Sequence, residues 1–518
     1  MEIITKQFEL YQMGPMVSNQ FLIDEDYNVP DIKRDVKRIV TSEGKLKVEE
    51  VKPVENYLHI SGNLEFQILY EADGMEPSFS CMKGKFPFHE MIYLEGGADD
   101  SYTVKEQKAD MRVQMIHSRK VRVKAVCELA VQSEKRICEE IPVDVNCECK
   151  IYKKQKEMEL LKIHTSKKDT YRIKEEITIA GTKESMENIL WTDISNCRLD
   201  TRISTDEILM TGELSVFCFY EAANGKLDWI EQTVPYSGKL ECYGIDESMY
   251  HHIQADLENV HTEIHGDEDG ELRIISIEGT LQISLAVYEE EKVKVLHDLY
   301  SLQEKCILDT SNINYEQLIL QNHSKCKVME RLTVPELQNQ VLQICHSSGK
   351  ILVENMEQRE DGVLITGVIY VNFLYVKSND ESPFEVWSGM IPFSHLVECN
   401  CGEEVAYDIS ANLEQVHVTL QGGNEIEVKA ILTFQGFFRK KGVLMKINRV
   451  RTEPISMEEI ERRPSIVGYI AKENDDLWTL AKNYSTSVET ICEINDLQDR
   501  PTKKGERLLI FKENMSIL

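Results

Sequence analysis

The sequence predicts a mainly β protein: three β-rich repeats, each a sandwich or barrel preceded by a short helix, then a small α+β module of βααβ order. Three observations carry that prediction. An alternating apolar pattern recurs three times at nearly constant spacing. Each copy runs into turn residues and then a strand holding a proline, and from Ser465 the apolar period becomes helical.

The repeat is read first because it organises most of the chain. Ser61–Tyr70, Thr211–Tyr220 and Thr366–Tyr375 superimpose without gaps, with Gly62, Gly212 and Gly367 spaced 150 and 155 residues apart. After each glycine the alternate positions are apolar: Leu64, Phe66, Ile68, Tyr70; Leu214, Val216, Cys218, Tyr220; Ile369, Val371, Phe373, Tyr375. A period of two puts such side chains on one face of a β-strand. The opposite face is polar in the first copy (Asn63, Glu65, Gln67), whereas Phe217, Phe219, Tyr370 and Leu374 predict strands covered on both faces later.

Asp73-Gly74, Asn224-Gly225 and Asn379-Asp380 end these strands with residues that suit hairpin turns. The next strands carry Phe86-Pro87-Phe88, Val234-Pro235-Tyr236 and Ile391-Pro392-Phe393. Proline lacks the N–H that a ladder needs, so these belong at a sheet edge or a bulge. Further alternation at Val123-Lys124-Ala125, Ile277-Glu278-Gly279 and Val428-Lys429-Ala430 extends each copy. Upstream, Pro30 with Ile32, Val36, Ile39 and Val40, and Pro335 with Leu337, Val341 and Ile344, predict short amphipathic helices; Ser185 would cap one carrying Met186, Ile189 and Leu190. With 518 residues, too many for one core, the expected divisions are 15–165, 166–310, 311–457 and 464–512.

In the last division Val467–Ile470 reads as a strand, Leu477, Leu480, Ala481 and Tyr484 as one helix face, and Val488, Ile491, Cys492 and Asn495 as a second. Asp475 or Asp476 is placed to cap the first helix, and Gly505–Ile510 is a turn and closing strand. Trp478, Leu480 and Tyr484 read as core.

Charge and motifs narrow the function. A formal net charge of −30, from 89 acidic against 59 basic residues, argues against nucleic acid and anionic lipid as partners. The acidic start Met1–Glu9 is unlike an export signal, and no apolar run is long enough to insert in a bilayer, so the expectation is a chain that stays in the cytoplasm. The 14 cysteines are then expected to be reduced and mostly buried, with Cys147-Glu148-Cys149 and Cys399-Asn400-Cys401 as strand neighbours. His261 and His265 fall in a β-patterned stretch, too far apart along a strand to share a metal. With neither a phosphate loop nor a nucleophile elbow, the expectation is no catalytic residue, no metal and no cofactor.

The proline-opened segment, the Gly-x-apolar alternation ending in Tyr and the apolar-Pro-aromatic strand resemble the SPOCS domain of spore-coat proteins. The C-terminal stretch resembles a LysM domain at Tyr469-Ile470, Asp475, Leu477-Trp478, Ala481, Tyr484, Val488, Ile491, Asn495, Leu497, Gly505, Leu508 and Ile510. That resemblance implies a glycan groove between the loop after the first strand and the loop before the last. The candidate partner- or glycan-binding residues are therefore Lys472, Glu473, Asn474, Asp475 and Asp476 with Asn495, Asp496, Leu497, Gln498 and Arg500. Asn474, Thr502 and Glu506 depart from the usual Gly, apolar residue and Gln, which makes the groove bulkier and more negative.

SPOCS repeats with one LysM domain and no export signal resemble clostridial coat morphogenetic proteins. The resemblance implies a non-enzymatic adaptor in the mother-cell cytoplasm at the forespore surface, part of the spore coat, which docks on the coat-basement ATPase SpoIVA. Self-association through edge strands is a further expectation. The alternative is a protein that grips peptidoglycan glycan of the cortex or cell wall through N-acetylglucosamine.

Overall fold

The computed structural model describes residues 1–74, 78–94, 101–337, 341–378, 383–400, 405–422, 424–473, 475–497 and 502–513. Within these, the side chains of 11–15, 101, 105–108, 134–136, 457, 460 and 461 are outside the description. The first unit comprises β1 (Glu2–Asn28), β2 (Val36–Val54), β3 (Tyr57–Ala72), β4 (Ser78–Tyr93), β5 (Ser101–His117) and β6 (Lys120–Asn146). The second comprises β7 (Ile151–Thr178), β8 (Met186–Ser204), β9 (Glu207–Ala222), β10 (Leu227–Glu241), β11 (Tyr250–Gly266) and β12 (Leu272–Ser301). The third comprises β13 (Glu304–Thr333), β14 (Val341–Arg359), β15 (Gly362–Lys377), β16 (Phe384–Glu398), β17 (Val405–Gly422) and β18 (Glu425–Pro454).

Each unit is a sandwich of two antiparallel three-stranded sheets, ordered β1-β6-β5 over β2-β3-β4 in the first, with the same arrangement in the others. The thrice-repeated stretches lie in β3, β9 and β15, the central strands, and their alternate side chains are buried: Leu64, Ile68, Val216 and Ile369 are fully enclosed. Strands β4, β10 and β16 lie at sheet edges, where Pro87, Pro235 and Pro392 leave no inner ladder short of a donor. The Asn224-Gly225 turn joins β9 to β10, with Gly225 at φ 77° and the Asn224 side chain accepting from Lys226 N at 3.0 Å. Asn379-Asp380 falls outside the described residues.

The helices expected upstream of the repeats are a correction. Pro30 is followed by a turn and then β2; Met186, Ile189 and Leu190 belong to β8. Pro335 opens only a single 3-10 turn, Pro335–Leu337, before β14. The cause is bulging. Ladder register slips at Val36/Arg38 and Ile39/Thr41, at Met186/Asn188 and Ile189/Trp191, and at Val341/Gln343 and Ile344/His346. Each bulge adds a residue, so side chains three apart land on one face of a strand and imitate helical spacing.

A third bulge explains the marker glycines of the first and third copies, whereas Gly212 is crowded by the Tyr236 ring. The bulge falls at Val48/Glu50 opposite Gly62 and at Val353/Asn355 opposite Gly367. A Cβ on Gly62 would lie 2.1 Å from the carbonyl oxygen of Lys47, and one on Gly367 2.2 Å from that of Leu352.

Among the described residues, three further interiors take members from all three units. Leu69 and Phe79, Leu190, Trp191, Phe217 and Phe219, and Cys345, Leu374 and Phe384 form one apolar hub with members from all three units. This covers the second faces of the central strands, as Phe217, Phe219 and Leu374 predicted, although Tyr370 is 42% exposed. Polar contacts close the ring. Gln67 Nε2 donates to Thr192 O at 3.2 Å and Arg38 Nη2 to Phe384 O at 2.9 Å, while His346 lies between Asp193 (3.0 Å) and Glu231 (2.8 Å).

The long strands extend beyond their sandwiches as ribbons, and Phe8, Leu10, Ile141, Met158, Leu160, Val293, Val295, Ile313 and Leu444 meet in a second shared core. A smaller cluster of Val145, Leu296, Leu299, Ile447 and Val450 follows. With each buried side chain contributing roughly 1.5–3 kcal/mol, the three units fold around common apolar interiors as well as their own.

After β18 come α1 (Met457–Arg462), β19 (Ile466–Ile470), α2 (Leu477–Tyr484), α3 (Val488–Ile494) and β20 (Arg507–Phe511), with β19 antiparallel to β20. The expected βααβ order is present, and α1 is an addition to it. Among the described residues no helix is long and apolar enough to cross a membrane.

Candidate functional site

Several polar side chains near the loops of the C-terminal module have structural work. Asp476 caps α2, accepting from Trp478 N at 3.3 Å, and also pairs with Lys154 of β7 at 2.5 Å. Asp475 points back into its own loop, where its carboxylate accepts from Lys472 N (2.7 Å) and the Tyr469 hydroxyl (2.8 Å). Those two bonds hold its carboxyl below the usual aspartate range.

On the second loop, Asn495 bridges α3 and β20: its amide donates to Ile491 O and Leu509 O, both 2.8 Å, and accepts from Leu509 N at 2.7 Å. Leu497 is fully buried in the module's core, and Asp496 is exposed with φ at 50°. Asn474, Gln498 and Arg500 lie outside the described residues.

The two loops meet. Lys504 Nζ donates to Glu473 at 2.7 Å and Thr502 Oγ1 to Asp475 O at 3.2 Å, while Gly505 N bonds Ala471 O at 2.7 Å. Glu506 accepts from Lys503 N at 2.9 Å. Among the described candidate residues Lys472, Glu473, Asp476 and Asp496 are exposed, and the neighbouring Lys503 and Lys504 complete a charged rim of both signs.

Sequence reasoning missed the seat on which this module rests. Tyr152 of β7 stacks on Tyr300 of β12 with ring centres 4.9 Å apart, and Trp478 meets Tyr300 edge-on at 4.9 Å. Trp478, read as internal core, thus packs between its module and the second unit; Leu480 is buried in the module's core and Tyr484 packs against it. Asp298 accepts from Trp478 Nε1 at 2.8 Å and from Lys482 Nζ at 2.7 Å, and the Tyr300 hydroxyl donates to Thr486 O at 2.8 Å. Burial pushes the Asp298 carboxyl up, but the bonds from Lys482 and Trp478 outweigh it and hold the group below its ordinary 3.8. A lone aspartate on a strand some 180 residues upstream gives no periodic signal that would have exposed it.

The other candidate constellations resolve as follows. His261 and His265 lie on β11 with Glu263 between them, at 3.0 Å and 3.8 Å. No cluster suited to a metal occurs among the described residues. Cys147 and Cys149 are a correction: they occupy the turn where the chain reverses from β6 into β7, and Cys399 follows the end of β16, so neither is a pair within a strand. Cys401 lies outside the described residues.

The comparisons with known proteins agree with this organisation. The model described as "SipL, SPOCS domain" matches residues 35–116, 167–265 and 340–421, together just over half of the chain. The LysM domain model matches 469–500. No curated protein and no solved structure matches. Both matched domains are binding domains, and the three SPOCS segments fall one in each six-stranded unit. The chain belongs to the SipL SPOCS-domain family and ends in a LysM domain.

Proposed function

We propose that this protein is a non-enzymatic adaptor of spore-coat morphogenesis that docks through its LysM module on a SpoIVA-like coat-basement ATPase at the forespore surface. One observation supports this above the rest. The repeats are fused around shared interiors, whereas the module is attached along one side and presents a charged rim built from both loops. A body of that kind carries a recognition surface without needing a reaction centre. Its edge strands are the elements that self-association would use.

Peptidoglycan binding is the competing outcome, since glycan is what LysM grooves usually hold. Two features favour a protein partner. The rim has no aromatic residue from Glu473 to Asp476 or from Asp496 to Lys504 on which a sugar ring could stack. Lys154 of the second unit also stands against Asp476 at the end of the first loop, crowding a strand-like ligand there.

The decisive experiment follows a fluorescent fusion of the chain lacking residues 464–518 during sporulation. Loss of the forespore signal is expected, and unchanged localisation contradicts docking through the module. In parallel, the full chain incubated with insoluble peptidoglycan should stay in the supernatant; retention that Lys472→Glu with Lys504→Glu abolishes would favour the glycan reading.

A further inference from the structure

Among the described residues, the thiols of Cys127, Cys218, Cys242, Cys345 and Cys399 are buried. Burial pushes those of Cys127, Cys218 and Cys345 up, to about 11, 12 and 12, so they offer almost no thiolate near neutrality. The turn at residues 147–150 differs in three respects. Cys147 and Cys149 are both partly exposed, their sulfurs are 2.9 Å apart, and neither is fixed in a ladder. A disulfide needs the sulfurs about 2.05 Å apart, so the bond is less than about 1 Å away.

We propose that Cys147 and Cys149 form a thiol–disulfide exchange site, oxidised reversibly by low-molecular-weight disulfides. The environment divides the labour. The Cys149 side chain and then its backbone N–H donate to Cys147 and pull that thiol down. Burial, and then the thiolate beside it, pushes Cys149 up to about 11. Cys147 is therefore the attacking thiolate and Cys149 the resolving thiol.

The exchange balances in two steps. Cys147 S⁻ attacks one sulfur of RS–SR; that bond breaks, RS⁻ leaves and Cys147–SR forms. Cys149 then loses its proton to solvent and attacks Cys147 Sγ, expelling the second RS⁻ as the Cys147–Cys149 bond forms. The dithiol gives up two electrons and two protons, and the disulfide becomes two RSH.

The position makes the oxidation consequential. Lys150, next in the chain, accepts from Ser301 Oγ at 3.0 Å through its carbonyl, and its ammonium pairs with Glu513 at 3.4 Å. Cys149 Sγ also lies 4.0 Å from Glu304, at the start of β13. The turn thus touches both inter-unit connections and the segment that follows the LysM module's last strand.

The test incubates the reduced full chain with oxidised glutathione under anaerobic, native conditions, then alkylates and maps the peptides by mass. The peptide holding both cysteines should lose two hydrogens and resist alkylation, with complete recovery after dithiothreitol. Cys149→Ser should halt at one glutathione on Cys147, and Cys147→Ser should give no internal bond and little adduct. Two free thiols after oxidation of the wild type, or glutathione accumulating there without ring closure, would overturn the site. An adduct on Cys149 in Cys147→Ser, with none on Cys147 in Cys149→Ser, would overturn the assigned order of attack.

Discussion

The six-stranded units and the C-terminal module are attached to the molecule by different physics. Each unit surrenders one sheet face and the far ends of its long strands to interiors it shares with the other two. The module's core of Leu480, Ala481, Ile491 and Leu508 takes in one buried side chain of the body, Tyr300, with Tyr152 and Leu302 packed against it, and a few polar bonds around Asp298 complete the attachment. Apolar sharing makes the units depend on one another, because separating them returns large aromatic surfaces to water. Directional polar contacts hold the module in one orientation at small energetic cost, which suits a recognition element.

The contrast is most easily broken at Phe217. This side chain is fully buried in the hub and stacks on His346 with ring centres 4.0 Å apart. Phe217→Ala should cost about 3–5 kcal/mol of global stability in chemical denaturation, in a single transition that includes all three units. If only the second unit melted early, the shared interior would not be what holds the units together.

Next in size is the pH response of His346. Burial opposes its charge, but Asp193 and Glu231 outweigh burial and raise it to about 9 from the ordinary 6.5. A raised histidine contributes fully below pH 6.5 and loses that contribution as pH climbs through 9. Stability should therefore fall between those limits by up to about 3 kcal/mol, and His346→Gln should flatten the profile. A wild-type profile as flat as the variant's would remove the ion pairs from the account.

Gly367→Ala follows, since its new methyl would meet the Leu352 carbonyl within a bulge. A loss of about 1–3 kcal/mol is expected by thermal or denaturant unfolding, against almost none for Gly468→Ala, where the space is open.

The smallest effect sharpens the other side of the comparison. Asp298→Asn weakens the acceptor of Lys482 and Trp478, which at this partly exposed site is worth about 1 kcal/mol. Unfolding of the units should be unchanged, while the connection between β18 and β19 becomes more susceptible to limited proteolysis. Because the Asp298 carboxyl is held below 3.8, wild type should move toward the same pattern as pH falls through that region and regain the seat above it.

Much of the fold was legible because strands advertise themselves by alternation and prolines by position. Leu64 to Tyr70 and its two counterparts needed only period two, and Pro87, Pro235 and Pro392 placed the edges. The upstream segments misled because bulges at Val36 and Ile39 convert a strand's period to three. Phe217 and Leu374 signalled a covered second face, yet its cover comes from other units, which no local window contains. In the module, capping chemistry narrowed the helix start to two aspartates, and the structure assigns it to Asp476. Its seat was hidden because Asp298 and Tyr300 acquire meaning only through long-range packing.

Hydrogen exchange measured by mass spectrometry on the intact chain near neutral pH tests the central contrast directly. Strands β3, β9 and β15 should share one slow, common rate, and α2 and α3 should open in a separate, faster class. Three different rates for the central strands, or a module that exchanges only with the slowest class, would contradict a fused body carrying an independently attached recognition module.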